Sequence, residues 1–141
     1  MDDIVEPESR VAAGWVEAYS IDAEIGAIPD YGQPNILGEC RIDGPSVVGL
    51  ARILQGTVEG FWERHDNGDE LLLLIEGRLT IHVRSPGGGT ETRELRPGDL
   101  VLVPRGAAHS LTLHTPEVQL LFMMPREGNT AWSDEADPQA A

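Results

Sequence analysis

The chain has one cysteine, Cys40, among its 141 residues, so no intrachain disulfide is open to it. Cations are scarce: ten Lys plus Arg face twenty-four Asp plus Glu, a formal net charge of -14. Such a surface repels phosphate backbones and anionic headgroups, which argues against nucleic acid and membrane partners. Apolar runs are short, and the longest, Leu71 to Ile75 among them, reach five residues, against the ~20 that a membrane span requires. The opening MDDIVEPESR carries neither the basic region nor the apolar run of a secretory leader. The expectation is a soluble protein in a reducing cytoplasm. There is no internal repeat and no Ser-rich linker, so one domain is expected. A chain of this length can bury roughly two-thirds of the surface it exposes when unfolded.

Both ends are acidic and poor in large aliphatics, which predicts a partly flexible extension over 1–31, available as a dimer contact, and a flexible acidic tail over 126–141. Within the extension, Val11, Trp15 and Tyr19 recur every four residues, which predicts a short amphipathic helix over 9–20. Between the ends, over 32–125, short apolar segments alternate with clusters of Gly, Pro, Asp and Asn and show no helical period. Strands are expected at 35–41, 47–55, 60–65, 70–75, 78–84, 90–95, 100–103, 109–114 and 118–124. The class is all-β, a jelly-roll barrel. The run Gly87-Gly88-Gly89 joins two of these strands and opens no helix, so it reads as a hairpin loop and not as a phosphate cradle.

Four residues able to hold a metal fall near strand ends: Glu63, His65, Glu70 and His109. In a strand, residues two apart share a face, so Glu63 and His65 project together, and Glu70 joins them from the next strand after a turn at Asn67-Gly68. His109 follows a Pro-x-Gly-x-x-His turn, with Leu111 and Leu113 continuing its face. Two imidazoles and one or two carboxylates suit Fe(II), Mn(II), Zn(II) or Ni(II), and His65, Glu70 and His109 alone satisfy the two-His, one-carboxylate triad of non-haem iron sites.

The segments EGFWERHDNGDELLLLIEGRLTI and RPGDLVLVPRGAAHSL resemble the two motifs of the cupin family. In the first, His65, Glu70 and Gly77 stand where that family has its second His, its Glu and its Gly; in the second, Gly98, Pro104, Gly106 and His109 match in order. Glu63 occupies the position at which the family usually has its first His, and Leu113 stands in place of a common Asn. The resemblance implies a double-stranded β-helix with one metal site and a homodimer, and the donor set makes iron the first expectation for the divalent ion, with Zn, Mn or Ni as alternatives.

On this reading the chain is a small metalloenzyme acting on a small organic molecule. Its chemistry is dioxygenase-like with iron, and isomerase-, cyclase- or lyase-like with the other metals. Glu63 is the proton-transfer candidate if it is not a ligand. The competing reading is a noncatalytic ligand-binding or sensor module, and a sugar isomerase would need further inward polar residues. Arg41 and Arg52 are candidates to orient an anionic substrate, with Arg64 a weaker one. His82 and His114 alternate away from the inward face, and Cys40 is expected to be a buried structural thiol.

Overall fold

The computed structural model describes residues 16–29, 33–85 and 87–134. In chain order the elements are β1 (Glu17–Ser20), α1 (Ile21–Gly26), β2 (Ser46–Leu54), β3 (Phe61–His65), β4 (Glu70–Glu76), β5 (Leu79–Arg84), β6 (Thr90–Leu95), β7 (Asp99–Val103), β8 (Ala108–Leu113), β9 (Glu117–Pro125) and β10 (Asn129–Ser133). They form two antiparallel five-stranded sheets, ordered β1-β7-β4-β9-β2 and β10-β3-β8-β5-β6. From β6 to β10 the chain changes sheet at every step, which wraps the sheets around a shared interior and makes the all-β jelly-roll barrel that the punctuation predicts.

The interior follows from alternation. Along β5, Leu79, Ile81 and Val83 are buried while Thr80, His82 and Arg84 are half-buried on the other face. Leu72 and Leu74 of β4, Val101 and Val103 of β7, and Val118 and Leu120 of β9 meet them from the facing sheet. Each such aliphatic contributes about 1.5–3 kcal/mol by leaving water. On β4 the same inward row begins with Glu70, and on β8 it begins with His109. The apolar rows therefore end in polar groups on one side of the barrel.

Eight of the nine expected strands are present. The exception, 35–41, is irregular chain lying against the outer face of the first sheet: a Cβ on Gly38 would come within 2.8 Å of the Leu102 side chain. Its end is tied down where the Asp69 amide donates to the Arg41 carbonyl (2.8 Å) and Ile42 bridges Gly68. Gly68 is needed for this approach, because a Cβ there would stand 2.6 Å from the Arg41 carbonyl oxygen.

Two further corrections concern the ends. The expected helix over 9–20 is contradicted over its described part, since 17–20 form strand β1 against β7, from Glu17↔Leu102 to Ser20↔Asp99. Pairing with an open sheet edge outweighs the four-residue spacing that Tyr19 shares with Trp15, and the remainder of that helix lies outside the described residues. The true helix starts later, with Ser20 accepting a hydrogen bond from the Ala23 amide as its N-cap. At the other end, 129–133 form β10, paired with β3 from Asn129↔His65 to Ser133↔Phe61, where the composition predicts a flexible tail. Trp132 is 7 % exposed, and burying its ring repays the cost of ordering the segment.

Candidate metal centre

Glu63, His65, Glu70 and His109 meet in space: one ligand atom from each lies within 4.8 Å of all the others. Glu63 and His65 share one face of β3, and β3 is placed beside β8 by the pairing Glu63↔His109. Glu70 comes from the opposite sheet, at the start of β4, and two packed sheets are about 10 Å apart. Side chains from both inner faces then reach a common point.

Glu70 is the centre of the cluster. Its Oε1 lies 3.0 Å from Nε2 of His65 and 3.0 Å from Nε2 of His109, and the two imidazole rings are 5.3 Å apart between centroids. Glu63 stands off further, with Oε1 3.7 Å from His109 Nε2, and its side chain is 46 % exposed. His65, Glu70 and His109 are buried.

Burial opposes charge on all three, yet the reciprocal hydrogen bonds win. Desolvation raises the Glu70 pKa, and the two histidines override it and hold the carboxyl at about 2. Desolvation likewise pushes His109 down, while Glu63 and Glu70 bring it up to about 9. His65 is raised against its own desolvation by Glu70, with help from Asn129. Without a metal ion, the hydrogen bonds to Glu70 thus favour the protonated form of each imidazole.

His65 has a second anchor. The Asn129 amide nitrogen donates to the Pro125 and Arg126 carbonyls (3.0 and 3.3 Å), which turns its oxygen toward His65 Nδ1 at 2.7 Å. An acceptor there fixes the hydrogen on Nδ1 and leaves Nε2 facing the cluster, the orientation that metal-ligating histidines take from an outer hydrogen bond. Asn129 escaped sequence reasoning because it falls in the acidic tail. The signal available was the turn Arg126-Glu127-Gly128 followed by the aromatic Trp132. His109 has no such support, since its buried Nδ1 meets no partner among the described residues.

A cavity of about 290 Å³ lies between the sheets and is lined at one end by Glu63, Glu70 and His109. Most of its wall is apolar, including Ile53, Leu72, Leu111, Leu120 and Phe122. Phe61 and Trp62 both line it. The three arginines considered for anion binding do not: Arg41 pairs with Glu39, Arg52 with Glu117, and Arg64 with Asp66. His82 and His114 face outward as expected, on Thr112 and Thr80. Cys40 is half-buried, not buried, and desolvation followed by the charges of Asp69 and Glu70 raises its thiol pKa.

The donor set suits a divalent transition ion, with two imidazole nitrogens and two carboxylates converging and the His65 tautomer fixed for ligation. Comparison with known proteins agrees with the architecture. The uncharacterized protein YdbB of Bacillus subtilis (strain 168) is 32 % identical over 69 residues, which cover 49 % of this chain and 58 % of that one. Among solved structures, an oxalate decarboxylase of Bacillus subtilis studied for its Mn(II) centres has a TM-score of 0.52 at 18 % identity, covering 62 % of this chain and 23 % of its own. A Lactobacillus farciminis oxalate decarboxylase in a formate complex has a TM-score of 0.53 at 16 % identity, covering 62 % and 26 %. The chain thus spans little more than half of the curated relative and about a quarter of each solved enzyme, and at these identities the likeness concerns fold. A family model described as Cupin domain matches residues 49–124. With more than half of its length matched, and with both motif halves forming the barrel they imply, the chain belongs to the cupin family.

Proposed function

We propose that this cupin binds one divalent transition-metal ion through His65, Glu70 and His109, with Glu63 as fourth ligand or proton-transfer group, and acts as a small metalloenzyme on an organic molecule. The observation that carries this reading is the convergence of four ligand atoms within 4.8 Å of one another, reinforced by the outer hydrogen bond that presents His65 Nε2 to the same point. Charge bookkeeping favours it as well. A divalent ion with neutral imidazoles matches the charge of the two carboxylates, as protons on the imidazoles would, so metal can replace protons at little cost in net charge.

Iron is the first expectation from the two-His, carboxylate donor set, and the Mn(II) centres of the oxalate decarboxylase of like fold support manganese beside it. A bound divalent ion supplies Lewis acidity, or oxygen activation if it is iron. The chain's own groups do the rest. In this reading the apolar wall holds the substrate body, and Glu63, which lines the cavity beside His109, takes or gives the proton at Oε1. The cavity beside the cluster favours catalysis over a closed binding module, and beyond the cluster its wall offers Ser110 and the Trp62 ring as polar side chains, few for a sugar isomerase.

A homodimer belongs to the same proposal. On the outer face of the first sheet Val48 and Leu50 are 67 % and 75 % exposed, and Leu121 and Met123 continue their row through the pairings Val48↔Met123 and Leu50↔Leu121. Two copies that each carry -14 meet with least repulsion along this apolar row, beside which Glu117 is bound to Arg52. The working location is the cytoplasm.

Titration of Mn(II) into metal-free protein, followed by loss of the free-ion electron paramagnetic resonance signal, tests the centre. One ion is bound per chain, and Glu70→Ala abolishes it; equal binding by that variant removes the proposal.

A further inference from the structure

We infer that the substrate of this centre is an uncharged molecule with a hydrocarbon body and a single hydroxyl or carbonyl group at the metal end, and not a small carboxylate or phosphate. The inference rests on the metal reading above and adds the substrate class to it. It comes from the distribution of polarity in the cavity wall. Glu63, Glu70 and His109 gather at one end, and from there the wall runs through Leu72, Leu111 and Leu120, with Ser110 as a further neutral polar group and no arginine.

The sequence contains no lysine, so every fixed cation available to an anionic substrate is an arginine. Among the described residues none of the arginines lines the cavity. The nearest by element are occupied elsewhere: Arg52 is bound to Glu117, Arg64 to Asp66, and the Arg84 guanidinium sits 4.0 Å over the Trp62 ring. The two carboxylates at the polar end already match the charge of a divalent ion. A carboxylate or phosphate entering this space would bring an unpaired negative charge into an apolar wall, at a cost of several kcal/mol. A neutral alcohol, phenol or ketone brings none, and its apolar body gains by leaving water. The volume of about 290 Å³ lies at the small end of the ~300–1,000 Å³ typical of small-molecule sites.

Benzyl alcohol and benzoate are matched probes, equal in ring and differing in charge. Binding is read from the methyl NMR signals of Leu72, Leu111 and Leu120, on metal-free and Mn(II)-loaded protein, with oxalate as a third probe. Benzyl alcohol is expected to shift these signals in both forms and to bind at least about tenfold more tightly than benzoate or oxalate. Ala51→Phe and Ala131→Phe, which add a ring to opposite walls, are expected to remove its binding, with folding checked by circular dichroism and metal content by elemental analysis. Benzoate or oxalate binding as tightly as benzyl alcohol overturns the inference, as do unchanged benzyl alcohol shifts in both folded variants. Metal content is a separate reading, so absence of the ion and preference for an anion are distinct failures.

Discussion

Asn129 and Glu63 bear on the candidate centre differently, one anchoring His65 through Nδ1 and the other standing off from His109. Removing the Asn129 oxygen leaves His65 free to rotate and to change tautomer, so Asn129→Ala is expected to weaken metal binding by about 10–100-fold, read by competition with a chelator; unchanged affinity would mean that His65 is oriented by packing alone. Glu63→His restores the third imidazole at this position and is expected to slow metal loss, whereas an unchanged rate places residue 63 outside the ligand set. Protons and metal compete for the same nitrogens. With His65 raised and His109 at about 9, metal uptake near pH 7 is expected to release between one and two protons per ion and to tighten as pH rises. Calorimetry in buffers of different ionisation enthalpy measures this directly. The metal-free protein has the opposite trend above neutrality. His109, raised when folded, contributes stability below its ordinary 6.5 that is lost as pH climbs through about 9. Glu70, depressed to about 2 from 4.5, contributes stability above 4.5 that is lost as pH falls toward 2. A stability maximum between these limits is expected, with losses on the order of 2 kcal/mol on each side, in urea unfolding of metal-free protein.

Elements explain why some of this was legible and some was not. The inward rows of β4, β5 and β8 are written in the sequence as period-two alternation, and the same alternation puts Glu63 with His65 on β3. His109 was legible because its turn motif fixes where β8 begins. Asn129 was not, because β10 is held by pairing with β3 and by burial of Trp132, both long-range, while its flanking residues are acidic and turn-forming. The same reason hid β1, whose partner β7 lies some eighty residues away. Segment 35–41 has the composition of a strand but crosses the outside of a sheet, where it finds no edge to pair with. The β4–β5 turn is the element most exposed to a single change: Gly77 has φ 90°, and a Cβ on it would stand 2.5 Å from the Glu117 carbonyl oxygen. Gly77→Ala is expected to cost about 2 kcal/mol or more, read from the urea midpoint, and an unmoved midpoint would show that the turn can relax.

At the scale of the molecule, the barrel brings the candidate metal centre and the apolar cavity together inside, and the β2–β9 part of the first sheet's outer face is the surface proposed for a second copy. These two surfaces are separable. Leu50→Glu places an acid on that face, and it is expected to convert a dimer to a monomer in light scattering while metal content per chain is kept. A monomeric wild type would remove the dimer and leave the centre untouched. The formal charge of -14 disfavours contact with polyanions. The whole reading depends on whether the convergence of Glu63, His65, Glu70 and His109 takes up an ion in the purified protein. Elemental analysis by inductively coupled plasma mass spectrometry, run in parallel on the wild type and His109→Ala, measures that. About one transition-metal ion per chain in the first and near none in the second is the expected result, and stoichiometry near zero in both would contradict it.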